Sequence, residues 1–169
     1  LAPRLLAGYD FVADNLNAGD AQSGRDADAS DPGDYASTSD LANATLRNMC
    51  GSAVAHASSW HGTQVAGIVA AESNNSRGIA GVGGSTRILP VRVLGKCGGF
   101  DSDIIAGMRW AAGLAVPGVP VNPNPAQIIN LSLAGSGTCS AAYTSAIAEI
   151  RAAGALVVAA AGNETGAVE

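Results

Sequence analysis

From residue 87 onward, short apolar runs alternate with segments of helical period, and the joins between them are brief. Residues 87–94 (R-I-L-P-V-R-V-L), 127–133 (Q-I-I-N-L-S-L) and 155–160 read as buried strands of a parallel sheet, with Pro90 a blemish at a strand start or edge. Between them, residues 103–114 carry Ile104, Ile105, Met108 and Ala111 on one helical face, behind a cap at Asp101 or Ser102. A second helix is predicted over 141–153, capped by Thr138 or Ser140 and ended by Gly154. Residues 116–125 hold too many prolines for a helix or a central strand. Strand, helix, strand, helix, strand with short connections predicts an α/β fold built on a doubly wound parallel sheet. A shorter strand-like run over 5–12 precedes it.

Composition narrows the function classes. A chain of 169 residues suffices for one domain burying roughly two-thirds of its unfolded surface. Hydrophobic residues make up 47%, with 22 glycines and few aromatics, which suits close packing of helices on a sheet. The net charge of −5 and the lack of a basic patch argue against a nucleic-acid surface. No apolar run approaches the roughly 18–20 residues needed to span a bilayer. The opening L-A-P-R-L-L is no signal peptide and reads as the interior of something longer. Cys50, Cys97 and Cys139 lack zinc-ligand spacing, and one disulfide plus a spare thiol is a natural count for a secreted protein.

Residues 13–59 form a long polar segment punctuated by aspartates, read as a loop. Within it, Asp26-x-Asp28-x-x-Asp31-x-x-Asp34 gathers the hard oxygen ligands that calcium takes, or makes a solvated acidic turn. It is no EF-hand, because no glutamate closes a twelve-residue loop. Next comes W-H-G-T-Q-V-A-G-I-V-A-A over 60–71, a slim, apolar helix that is expected to be buried. His61 stands at its mouth, with Ser58 or Ser59 available to cap the first turn. Beside the positive end of the helix dipole the neutral imidazole is the favoured form, as a general base requires. The run Gly81-Val82-Gly83-Gly84 follows a loop and precedes a strand, the reverse of a phosphate-cradling order, and argues against a nucleotide site.

The pattern H-G-T-x-V-A-G-x-[IV]-A-A starting at His61 resembles the histidine motif of the subtilisin-like serine peptidases, the subtilases. A second marker agrees: A-A-G-N-E over 160–164, after the last strand, resembles the family's oxyanion-hole motif. The likeness runs through the chain in family order and extends the expected fold to an incomplete subtilisin-like domain over 1–169. It implies that His61 takes the proton from a catalytic serine and that the Asn163 carboxamide donates to the tetrahedral intermediate.

Further roles follow from that resemblance, and one cysteine pairing from the strand order. Gly98 and Gly99, after one strand, would form one wall of a cleft that pairs with an extended polypeptide substrate. Ser132, Leu133, Ala134 and Gly135, after the next strand, would form the other wall and line the side-chain pocket. The turn-rich stretch over 73–82 resembles a family calcium loop, with Asn75 offering its side chain and Ser73, Arg77 and Ile79 their carbonyls. Asp10 matches a position that some relatives use as a calcium ligand, and relatives hold calcium between their catalytic Asp and His. Cys97 and Cys139 follow successive strands on one sheet edge, so their pairing is favoured over either pairing with Cys50; it would staple the loop between the walls.

The departures are as informative. Neither the family's D-T/S-G aspartate motif nor its G-T-S-M-A serine motif occurs in these residues, and Gln64 stands where relatives often carry histidine. The expectation is the middle of a secreted, calcium-stabilised serine endopeptidase, inactive alone and partnered by the remaining segments of its own domain. His61 and Asn163 are expected to face one hollow at the carboxyl rim of the sheet. A non-catalytic module that holds extended peptides is the alternative.

Overall fold

The computed structural model describes residues 1–135 and 137–163; Ser136 and Glu164, both within stretches discussed above, lie outside the described residues. The chain divides into two compact units, Leu1–Ile104 and Ile105–Glu169.

In the first unit, β1 (Tyr9–Asp10) pairs in parallel with β2 (Val91–Arg92), and a bridge between Leu5 and Ile88 extends the pairing upstream. The strands are shorter than the apolar runs that announced them. Pro90 offers no N–H to the ladder, and only its carbonyl takes part, accepting from Tyr9 N at 3.2 Å. Phe11 and Val12, just past β1, are fully buried. The Arg25 guanidinium lies 5.5 Å from the Phe11 ring centroid and pairs with buried Asp103 at 2.7 Å.

The segment read as a 47-residue loop over 13–59 contains three short helices, each started by a polar side chain. Asp14 accepts from Asn17 N to open α1 (Asn15–Ala18). Ser37 and Asp40 exchange side-chain and backbone bonds in a capping box on α2 (Thr38–Ala42). Asn43 accepts from Thr45 N and Leu46 N to open α3 (Ala44–Cys50). Leu41 and Leu46 anchor α2 and α3 in the core. The bonds from Ser37, helped by Lys96 at 3.0 Å, pull the Asp40 carboxyl down to about 2.

This fold of the segment overturns the expected disulfide. Cys50, the last residue of α3, is bonded to Cys97, and Cys139 is a free, exposed thiol. The helices carry Cys50 to the turn that follows β2, a proximity invisible when residues 13–59 are read as a loop. After Gly51 the chain runs to α4 (His61–Ala70), then through residues 71–90 to β2.

The second unit holds most of α5 (Asp101–Ala111), then β3 (Ile128–Leu131), α6 (Ala141–Ala152) and β4 (Leu156–Ala159). β3 and β4 pair in parallel, Ile128 opposite Leu156 through Leu131 opposite Ala159. Ser140 caps α6 by accepting from Tyr143 N, and Ile150 is fully buried. The expected burial of both sheet faces is corrected for these strands: Ile129 is buried, whereas Ile128 and Leu156 are 65% and 56% exposed. Alternate residues point to opposite faces, and α6 packs against β4. The proline-rich loop is tied down by buried Asn122, whose amide donates to Trp110 O and Ala111 O at the end of α5, while the Trp110 indole donates to Pro120 O.

Candidate active site

His61 is the first residue of α4, and its side chain is exposed. The residue before it, Trp60, occupies the left-handed region at φ 52°, ψ 29° and makes no capping side-chain bond. Capping falls to Ser59, whose Oγ accepts from His61 N at 3.3 Å. Ser59 is itself held on every side. Its N–H donates to Asp34 Oδ1 at 2.6 Å, its hydroxyl to Asp34 Oδ2 at 2.7 Å, and its carbonyl accepts from Gln64 Nε2 at 2.8 Å. Burial alone would raise the Asp34 carboxyl, but the two bonds from Ser59 outweigh it and hold the group below the usual carboxylate range.

The helix itself is less covered than its composition suggested. Gly67 and Ala70 are buried, but Ile68 is 59% exposed, which corrects the expectation of all-round burial. Its C-terminal carbonyls are satisfied by the chain that follows. Val82 N, Gly83 N and Gly81 N donate to Ile68, Val69 and Ala71 at 2.7–3.0 Å. A Cβ on Gly81 would sit 2.4 Å from Ala71 N, so only glycine permits this approach.

Between helix and capping loop, residues 72–80 surround a hollow of about 240 Å³. Asn74, Ser76 and Gly78 have φ of 58°, 55° and 57°, a left-handed residue at every second position. Ser73, Asn75, Arg77 and Ile79 are the alternating residues, all exposed, and Asn75 Oδ1 accepts from Arg77 N at 3.0 Å. Positive φ at two non-glycine residues costs on the order of 1 kcal/mol or more each.

The aspartates of 26–34 do not converge on one point. Each of the first three turns back on its own backbone: Asp26 accepts from Asp28 N, Asp28 from Ser30 N, and Asp31 from Gly33 N. Asp28 and Asp31 share an open hollow with Asp20, a residue the sequence reading passed over. Asp26 Oδ2 and Asp20 Oδ1 are buried without a hydrogen-bond partner. Asp34 serves Ser59, and Asp10 is wholly buried: Oδ1 accepts from Val12 N and Oδ2 from Arg92 at 2.5 Å. Burial pushes the Asp10 carboxyl up, against the pull of its hydrogen bonds. Arg92 also reaches Asp20 Oδ2 at 2.7 Å and Ala18 O. Among the described residues no three His, Cys, Asp or Glu side chains stand close enough together to hold a metal.

Gly98 closes, and Gly99 follows, a tight turn over 95–98 in which Gly95 N donates to Gly98 O at 2.9 Å. Buried Asn17 fixes this turn, its Nδ2 donating to Gly98 O, its Oδ1 accepting from Cys97 N and its carbonyl from Lys96 N. Sequence reading missed Asn17, Asp20 and Arg92, whose partners lie about 70–80 positions away and leave no local signal. Gly98 requires its φ of 88°, and a Cβ on Gly99 would lie 2.4 Å from Val93 O.

In the second unit, Ser132 and Leu133 are half-buried and Ala134 and Gly135 exposed, directly beyond the carboxyl end of β3. Ala160 N donates to Leu131 O, which carries the pairing one step past β4, and exposed Asn163 follows three residues later. Residues 132–135 and Asn163 therefore stand beyond the carboxyl ends of two paired parallel strands, the end at which open α/β sheets bind ligands.

The profile of the Subtilase family matches residues 28–169. An extracellular protease of Xanthomonas campestris pv. campestris is 47% identical over 97% of this chain and 27% of its own length. An extracellular basic protease of Dichelobacter nodosus is 46% identical over 95% of this chain and 26% of its own. Among solved structures, a protease of Pseudoalteromonas arctica superimposes with a TM-score of 0.87 at 50% identity, covering 96% of this chain and 45% of that one. The chain thus spans about a quarter of the length of these two curated relatives.

Proposed function

The chain belongs to the subtilase family, and on that premise we propose that it forms part of a secreted serine endopeptidase acting on extended polypeptides. His61 is the general base that takes the proton of a serine supplied from outside these residues and returns it to the leaving amine. Asn163 donates to the oxyanion that forms as the carbonyl turns tetrahedral. Gly98 and Gly99 after β2 offer backbone to the extended peptide, and Ser132 to Gly135 after β3 take its backbone and the side chain before the scissile bond. The single observation that carries this reading is the local geometry at the two motifs: an exposed imidazole on a fixed helix entry, and a carboxamide just beyond the carboxyl end of β4. An extracellular setting agrees with the names of both curated relatives and with the Cys50–Cys97 disulfide.

The test is Asn163→Ala in the full-length protein. It should lower kcat about a hundred- to a thousandfold with little change in KM, a magnitude taken from subtilisin, itself a member of this family. A variant that keeps its kcat rules out the oxyanion role. Peptide binding without labelling by a serine-directed fluorophosphonate would point instead to a non-catalytic module.

Calcium is the second part of the proposal. Ser73, Asn75, Arg77 and Ile79 fit an ion in the ring over 72–80, where the strained backbone at Asn74 and Ser76 needs something to hold it. Asp20, Asp28 and Asp31 line an open hollow, and Asp20 and Asp26 each bury one oxygen without a partner, but the side chains stand apart, so these aspartates fit a second site less completely. Asp10 and Asp34 have both oxygens engaged and are left out. Calcium here supplies rigidity, not chemistry. Titrating calcium into chelator-treated protein should raise unfolding stability by about 2.7 kcal/mol at a hundred times Kd. An unfolding midpoint that ignores both calcium and chelator would exclude these sites.

A further inference from the structure

The entry of α4 lacks the device that usually fixes one. Its N-cap, Trp60, contributes no side-chain bond and stands in the left-handed region, where a bulky residue persists only if its neighbours enforce it. The enforcement comes from 26 positions before Trp60 in sequence, at Asp34. All three hydrogen-bonding groups of Ser59 are engaged, two by the Asp34 carboxylate and one by Gln64, one turn into the helix. With its proton committed to Asp34, the Ser59 hydroxyl presents a lone pair to His61 N. The chain of bonds thus runs from the carboxylate through Ser59 to the backbone of the residue whose imidazole does the chemistry.

Asp34 is in turn held against this entry. Its carbonyl meets the His56 ring at 3.0 Å, and Ala36 and His56 exchange both backbone bonds at 3.1 and 3.0 Å. Gly33 is buried beneath Ser58 and Trp60: a Cβ there would lie 2.2 Å from Ser58 Oγ and 3.4 Å from the indole. Residues 33–36 and 56–60 are therefore zipped together along the strip that ends at His61.

We propose that Asp34 is a positioning residue for the peptidase reaction, fixing the His61 imidazole by clamping Ser59. The proposal rests on the reading of His61 as the general base. A reacting group displaced by about 1 Å can cost a hundredfold in rate, and a helix entry freed to rotate moves the imidazole by that order.

The experiment uses the full-length protein at saturating calcium, with kcat expressed per active site titrated by fluorophosphonate. Asp34→Ala and Ser59→Ala should each lower kcat about tenfold or more with KM within twofold. The double variant should fall no further than the worse single, because both act through one chain of bonds. Asp34→Asn keeps an acceptor for Ser59 N and should recover most of the loss. If Asp34→Ala reduces only the number of titratable sites, with kcat per site unchanged, Asp34 supports folding alone and the proposal is overturned. If kcat of Asp34→Ala stays within twofold while His61→Ala is inactive, the clamp is disproved and the base assignment stands. An active His61→Ala would remove the reading on which the clamp depends.

Discussion

Replacing His61 by alanine in the full-length protein should lower kcat about a millionfold, the loss measured when subtilisin loses its own base. KM should change only a few-fold, because a general base acts on a proton that moves in the transition state and adds little to ground-state binding. Fluorophosphonate labelling should fall with kcat, since the same proton must leave the serine before either reaction. The structure allows this to be separated from unfolding. His61 is exposed, and its backbone N–H is bound by Ser59, which truncation of the side chain leaves in place. Surface truncations of this kind stay within about 0.5 kcal/mol, so the thermal midpoint should barely move. A His61→Ala enzyme within tenfold of the parent rate would end the peptidase reading of this chain.

What the sequence made legible is what depends on local pattern. The helix opening near His61, a cap for α6 at Thr138 or Ser140 (Ser140 in the structure), and the α5–β3–α6–β4 order all rest on periodicity and capping chemistry within a few residues. The likeness to the subtilases was legible for the same reason, since its motifs are contiguous. The helices α1 to α3 were missed because they are four to seven residues long and rich in Asn, Ser, Thr and Asp, whose propensities favour turns. In retrospect their caps were readable: Ser37 with Asp40 three residues on is a capping box. Arg92 was beyond reach for another reason. Its place in a buried cluster with Asp10 and Asp20 joins positions 72 and 82 apart, and no window along the chain contains both ends. Asp34 shows both effects: its calcium-like spacing was visible, while the partner it uses, Ser59, lies 25 positions on.

Removing the disulfide should cost the most stability of any single covalent change. Cys50 and Cys97 are 47 positions apart, and the chain-entropy relation gives roughly 4 kcal/mol for a loop of that size. At about 2–4 °C per kcal/mol for a chain of this size, Cys50→Ser with Cys97→Ser should lower the thermal midpoint by roughly 10 °C. The native turn over 95–98 should survive, because Asn17 still binds Gly98 O and Cys97 N, and Lys96 still meets Asp40. The loss therefore falls chiefly on the unfolded state, and kcat per active site below the transition should be unchanged. Cys139→Ser is the decisive comparison. Its thiol is exposed and unbonded to another cysteine, so the midpoint should hold within about 2 °C. A large drop for Cys139→Ser, with Cys50→Ser silent, would restore the pairing of Cys97 with Cys139 and overturn the fold of the α3 segment against the turn after β2.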